Sequence, residues 1–106
     1  MLTSCVLVGR VKEKPEVTMS SKGTTMATLL LETERPFRNE NGSVSHDVFR
    51  IFLWRGIAEE CAETCQPGSI VAVKGRMQSV PHENEGRTWY NCEIFAEKVS
   101  YVPHAG

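Results

Sequence analysis

Asp47-Val48-Phe49-Arg50-Ile51-Phe52-Leu53-Trp54-Arg55 is rich in β-branched and aromatic residues and fits helical periodicity poorly, so it predicts a strand. Alternate strand side chains point to opposite faces. Phe49, Ile51 and Leu53 then share a wholly apolar face that belongs against a core. Val48, Arg50, Phe52 and Trp54 share the other face, where a guanidinium stands among large rings. A strand apolar on both sides can be doubly buried, in a sandwich or at an oligomer interface. It can also be a platform for unpaired nucleotides, whose bases stack on rings and whose phosphates seek arginine.

The flanking sequence supplies the remaining elements. Residues 2–11 read as a first strand, with Gly9 marking a bulge or sharp bend. Lys14-Pro15 breaks pairing, and Ser20-Ser21-Lys22-Gly23 is a turn cluster. Residues 24–34 form a second strand, with Ala27, Leu29 and Leu31 on one face and Met26, Thr28 and Leu30 on the other. Residues 35–42 read as a polar loop, in which Phe37, between Arg35 and Arg38, either tucks under its loop or stacks a base. Residues 56–66 are the helix candidate. Ile57, Ala58, Cys61, Ala62 and Cys65 make its apolar stripe, Glu59, Glu60 and Glu63 its polar side, and Pro67-Gly68 its stop. Residues 69–78 form the next strand, with Gly75 at a bend. Residues 81–86 form a hairpin loop, and residues 87–102 a last strand pair or bent strand. Strands, one helix and more strands, without a βαβ rhythm, argue against a parallel-sheet fold. The order fits an all-β fold with one helix, the five-stranded Greek-key barrel of the OB-fold.

A chain of 106 residues forms one domain with a modest core. Twelve Lys and Arg against 13 Asp and Glu leave a formal net charge of −1, so any electrostatic pull on a polyanion must come from local arrangement. Arg10, Lys12, Lys14, Lys22, Arg35, Arg38, Arg50 and Arg55 fall in the first half, compatible with a basic groove and an acidic back. No apolar run reaches membrane-spanning length and no signal peptide precedes the first strand, which predicts a cytoplasmic protein. Cys5, Cys61, Cys65 and Cys92 read as reduced and mostly buried. Cys61 and Cys65 share a helix face, but their spacing is not the two-residue knuckle and no second pair lies near, so no metal is expected. His46, His82 and His104 are scattered, and neither a glycine-rich phosphate loop nor a nucleophile elbow occurs. No catalytic residues and no cofactor are expected.

Several segments in order resemble bacterial single-stranded DNA-binding proteins. These are Val6-Leu7-Val8-Gly9-Arg10, Pro15-Glu16-Val17, Gly23 with Ala27, and Arg35-Pro36-Phe37. The strand ending at Trp54, Ala58-Glu59, Pro67-Gly68-Ser69, Val73-Lys74-Gly75-Arg76-Met77-Gln78 and Glu93-Ile94-Phe95-Ala96-Glu97-Lys98-Val99 continue the match. The resemblance implies an OB-fold that oligomerises, as a tetramer ahead of a dimer, and wraps single-stranded DNA in the nucleoid during replication, recombination or repair. Family stacking positions map onto Phe37 and Trp54, whereas Val48 and His82 stand at two other usual aromatic positions. Phe52 and Trp89 are further ring candidates. Each ring missing from a stack costs roughly 1–3 kcal/mol, so weaker binding per subunit is expected. Relatives carry a flexible tail with an acidic-hydrophobic tip. The sequence here stops at Val102-Pro103-His104-Ala105-Gly106, either cut short or as a tailless form resembling primosomal replication protein N or a mobile-element protein. Replication or repair proteins remain candidate partners, without a recruiting tail in this sequence.

The residues expected to meet nucleic acid are Arg10, Lys12, Arg38, Arg50, Lys74, Arg76 and Arg87 for phosphates, and Phe37, Phe52, Trp54, His82 and Trp89 for bases. The competing reading is a protein-interaction module that uses Phe49 and Leu30 as interface residues. RNA in place of DNA is a third reading, since stacking alone does not test for the 2′-hydroxyl.

Overall fold

The computed structural model describes residues 3–102; Leu2 of the expected first strand and the C-terminal residues 103–106, with His104, lie outside them. Five long strands carry the fold: β1 (Ser4–Val11), β3 (Thr25–Arg38), β4 (Val44–Trp54), β5 (Ile70–Asn84) and β6 (Arg87–Tyr101). A two-residue strand, β2 (Thr18–Met19), and one helix, α1 (Arg55–Thr64), complete it. The sheet runs β1-β5-β6-β4-β3-β2, and an additional β1–β3 pairing closes it into the expected barrel. All long-strand pairs are antiparallel except β4–β6, where Ile51 sits beside Ile94.

Alternation decides what enters the barrel. Leu29, Leu31, Ile51, Leu53, Val71 and Val73 are fully buried. Each such side chain contributes on the order of 1.5–3 kcal/mol when removed from water. From α1, Ala58 and Cys61 enter the same core, followed by Cys65 at its C-cap, while Glu59, Glu60 and Glu63 stay exposed. Two glycines let strands pass closely. A Cβ on Gly9 would collide with the Glu32 carbonyl, where β1 leaves β5 and reaches β3 through Arg10–Glu32 and Val11–Leu31. A Cβ on Gly75 would stand 2.5 Å from the Phe95 carbonyl oxygen, beside a register shift on the β5–β6 ladder.

Four boundaries differ from the sequence expectations. Residues 35–38 extend β3 instead of opening a loop, and a register shift between Glu34 and Arg38 absorbs Pro36, which has no N–H for the ladder. β5 continues through Pro81 and His82 to Asn84, so the expected loop is a two-residue turn at Glu85 and Gly86, both with positive φ. Arg55 opens α1 at φ 54 instead of ending the strand. The helix ends at Thr64, two residues before the expected Gln66. β2 was too short to announce itself in the sequence.

Candidate nucleic-acid interface

The outer face of β4 is as alternation requires: Val48, Arg50 and Trp54 are exposed and Phe52 is half-buried. Register adds neighbours from β3, with Met26 opposite Trp54, Thr28 opposite Phe52 and Leu30 opposite Arg50. On the other side the parallel β6 brings Phe95 beside Phe52. Their ring centroids are 5.4 Å apart with 29° between planes. The Arg50 guanidinium carbon lies 5.6 Å from the Phe52 centroid, and that of Arg76, opposite Phe95 on β5, lies 5.2 Å from the Phe95 centroid. Both distances fall within cation–π range. The result is a ladder, Arg50–Phe52–Phe95–Arg76, crossing three strands. Neither arginine forms an ion pair among the described residues; Arg76 donates to the neutral Gln78 side chain at 3.0 Å.

Beyond Gln78 the β5–β6 hairpin leaves the barrel as an exposed two-stranded arm. The same alternation carries the ladder's face outward along it. His82 stacks on Trp89 with centroids 5.8 Å apart and planes 17° apart, and Arg87 follows at the arm's turn opposite Asn84. Trp54 is 37% and Trp89 45% exposed, leaving ring surface for a planar partner. Lys12 donates its backbone N–H to the Leu30 carbonyl at 2.9 Å, which sets it beside the Leu30–Arg50 row. An open groove of about 590 Å³ lies there, lined by Lys14 and Arg50, by the carboxylates Glu13 and Glu16, and by Thr18, Met26, Ala27, Thr28 and Leu30. Lys74 points outward two residues before Arg76, between Val6 and Lys98 on the neighbouring strands.

Three expected residues do not join this face. Arg10 lines a separate cleft of about 400 Å³ with Glu32, Glu34, His46, Val8 and Ile70. Phe37, 58% exposed, and Arg38, whose guanidinium donates to the Gly42 carbonyl at 3.0 Å, lie where β3 meets the start of β4. Trp54 ends β4, roughly 30 Å away at ordinary strand rise. A strand of polymer touching both rings must follow the length of β4. Arg35 is already engaged, through a two-pronged pair with Asp47 (2.9 Å at the shortest) that holds the Asp47 carboxyl below its usual range.

Phe95 is the functional candidate that reading the sequence missed. It shares parity with Trp89 along β6, so alternation from an already selected ring would have found it. Its partner on β4 follows only from the parallel register.

Compared with known proteins, the chain matches the single-strand binding protein family over residues 2–102. It is 37% identical over 103 residues to Single-stranded DNA-binding protein B of Bacillus subtilis, covering 96% of this chain and 91% of that protein. Single-stranded DNA-binding protein 3 of Listeria innocua is also 37% identical, but the chain spans 64% of its length. A structure described as a Plasmodium falciparum SSB complex with ssDNA superposes with a TM-score of 0.78 at 20% identity, covering 97% of this chain and 96% of that one, and shares the fold. Since the family match runs through all of the described barrel and its arm, the chain belongs to the single-strand binding protein family.

Proposed function

We propose that this chain binds single-stranded DNA, with little regard to sequence and without catalysis, in the replication, recombination or repair settings where such strands are exposed. The observation that carries the reading is the run of rings and carboxylate-free arginines on one outer face, from Trp54 through the Arg50–Phe52–Phe95–Arg76 ladder to His82 and Trp89. Bases stack on Trp54 and Trp89, and on Phe37 where the strand reaches the far end of β4. Phosphates meet Lys12, Arg50, Lys74, Arg76 and Arg87, with Arg38 near Phe37. Arg10, among carboxylates, takes no part in this path. Both tryptophans lie on it, so oligo-dT should quench their fluorescence at low salt. Affinity should then fall linearly on a log–log plot of salt, by about 0.7 per phosphate contact. An unquenched spectrum at low salt would reject the reading.

The chain works as an oligomer of identical copies. On β1, residues 4–9 pair with β5 on one side only, and Val6 (72% exposed), Val8 (58%) and Ile70 (40%) form an apolar outer patch beside that open edge. An open edge recruits a strand and an apolar face recruits a second face. Each contact is self-complementary about a two-fold axis, and two different two-fold contacts generate a tetramer.

A further inference from the structure

We propose that Phe52 and Phe95 are positioning residues: their stacked rings hold the Arg50 and Arg76 guanidiniums as a pair of phosphate sites, so that this part of the face reads the DNA backbone and not its bases. The inference rests on the reading of this face as a path for single-stranded DNA.

Both rings are half-buried, and each is engaged twice, by the other ring at 5.4 Å and by a guanidinium at 5.6 or 5.2 Å. A base settling on either ring has to displace an arginine first. Trp54, 37% exposed, offers free surface instead, and Trp89, 45% exposed with His82 stacked on it, carries no cation. A guanidinium resting on a ring keeps its N–H donors in its own plane, directed away from the ring, where a phosphate can take two of them at once. Neither guanidinium is paired with a carboxylate among the described residues, although Glu13 and Glu16 line the groove beside Arg50. Glu93, two residues before Phe95 on the same face, forms no ion pair among the described residues, and the partner of Arg76 is the neutral Gln78. Strand register fixes the spacing, because Arg50 and Phe52 share β4, Phe95 sits beside Phe52, and Arg76 sits opposite Phe95.

A double-mutant cycle on two oligonucleotides of equal length tests this, one oligo-dT and one with every base replaced by an abasic tetrahydrofuran. Arg76→Gln, Phe95→Met and the double variant are titrated against both at low salt, with thermal melts to confirm folding; Arg76 is exposed, so its variant folds whatever Phe95 does. Phe95→Met should weaken binding to both strands by the same factor, roughly two- to fivefold for a cation–π contact of this kind. The salt slope should become shallower by up to about 0.7, one phosphate contact. Adding Phe95→Met to Arg76→Gln should cost no further affinity, while Phe95→Tyr, which keeps the ring, should bind as the unaltered protein does. A loss confined to the base-bearing strand would make Phe95 a stacking residue and overturn the proposal. Additive losses, no loss in Phe95→Met, or an unaltered protein that binds oligo-dT but not the abasic strand would overturn it too. A protein that binds neither strand would instead remove the underlying reading of the face.

Discussion

Trp54 sits where the central strand turns into the helix, and the turn explains its availability. Arg55 adopts φ 54, a left-handed conformation that costs a non-glycine residue about 1–2 kcal/mol, and the chain swings sharply away behind the ring. The ring keeps 37% of its surface exposed at the end of the outer stripe. Trp54→Ala should therefore weaken oligo-dT binding by about 1–3 kcal/mol, the range for one stacked base. Its melting temperature should fall by no more than several degrees, corresponding to about 1 kcal/mol for a domain of this size. Titration and a thermal melt check the pair of effects, and a large stability loss with unchanged affinity would make the ring part of the core. Most of this residue's position was readable from alternation along 48–54. The strained arginine behind it was not, because nothing in Trp54-Arg55-Gly56 says which residue takes the positive φ, and glycine adopts it at least cost.

Among the elements, strands with one buried face were legible and the exposed arm was not. Along 27–31 and 48–54, burial on one side writes an alternating pattern into the sequence. The distal half of the β5–β6 hairpin is exposed on both faces, so His82, Glu83 and Asn84 are free to be polar and read as loop. The same freedom applies to residues 35–38, where Pro36 suggested a break and the register shift accommodates it. Helix α1 shows the opposite case, since its apolar stripe was plain and its burial has a titration consequence. Cys61 and Cys65, fully buried with sulfurs 3.3 Å apart, lie against Tyr101, whose buried hydroxyl has no conventional hydrogen-bond partner among the described residues. Burial pushes the Cys61 thiol from its ordinary 9.0 up to about 12, and raises Cys65 and Tyr101 as well. Their neutral forms are favoured by the fold, so this stability is complete below about pH 9 and is lost as pH climbs toward 12. Each pH unit above the unfolded value removes about 1.4 kcal/mol per group that titrates only in the unfolded chain. Urea midpoints measured from pH 7 to 11 should hold until about 9 and then drop, with a gentler drop in Cys61→Ala. A midpoint unchanged through pH 11 would contradict this account of the helix–barrel contact.

For the whole molecule, net charge was uninformative and arrangement carried the meaning. With a formal charge of −1, the proposed attraction to DNA rests on a few arginines that stand on one face without ion-pair partners among the described residues. The barrel class could be inferred from element order and family resemblance. The ladder could not, because it joins residues 43 positions apart through a parallel pairing that no local pattern encodes. Assembly belongs at this scale as well. Val8→Glu puts a charge into the apolar patch beside the open edge of β1 and should lower the solution mass from that of the proposed tetramer, by sedimentation or mass photometry, while leaving the barrel folded. An unchanged mass would place the oligomer contact elsewhere.

On the proposed path a single DNA strand lies across the outer face of β4, β5 and β6 with its bases on the exposed tryptophan rings. Photocrosslinking with an oligo-dT carrying 5-iodo-deoxyuridine at successive positions, followed by peptide mapping, addresses it most directly. Crosslinks are expected at Trp54 and Trp89, with Phe37 appearing as the strand lengthens. Crosslinks confined to α1 or to the Val6–Val8 patch, with both tryptophans untouched in a bound complex, would contradict it.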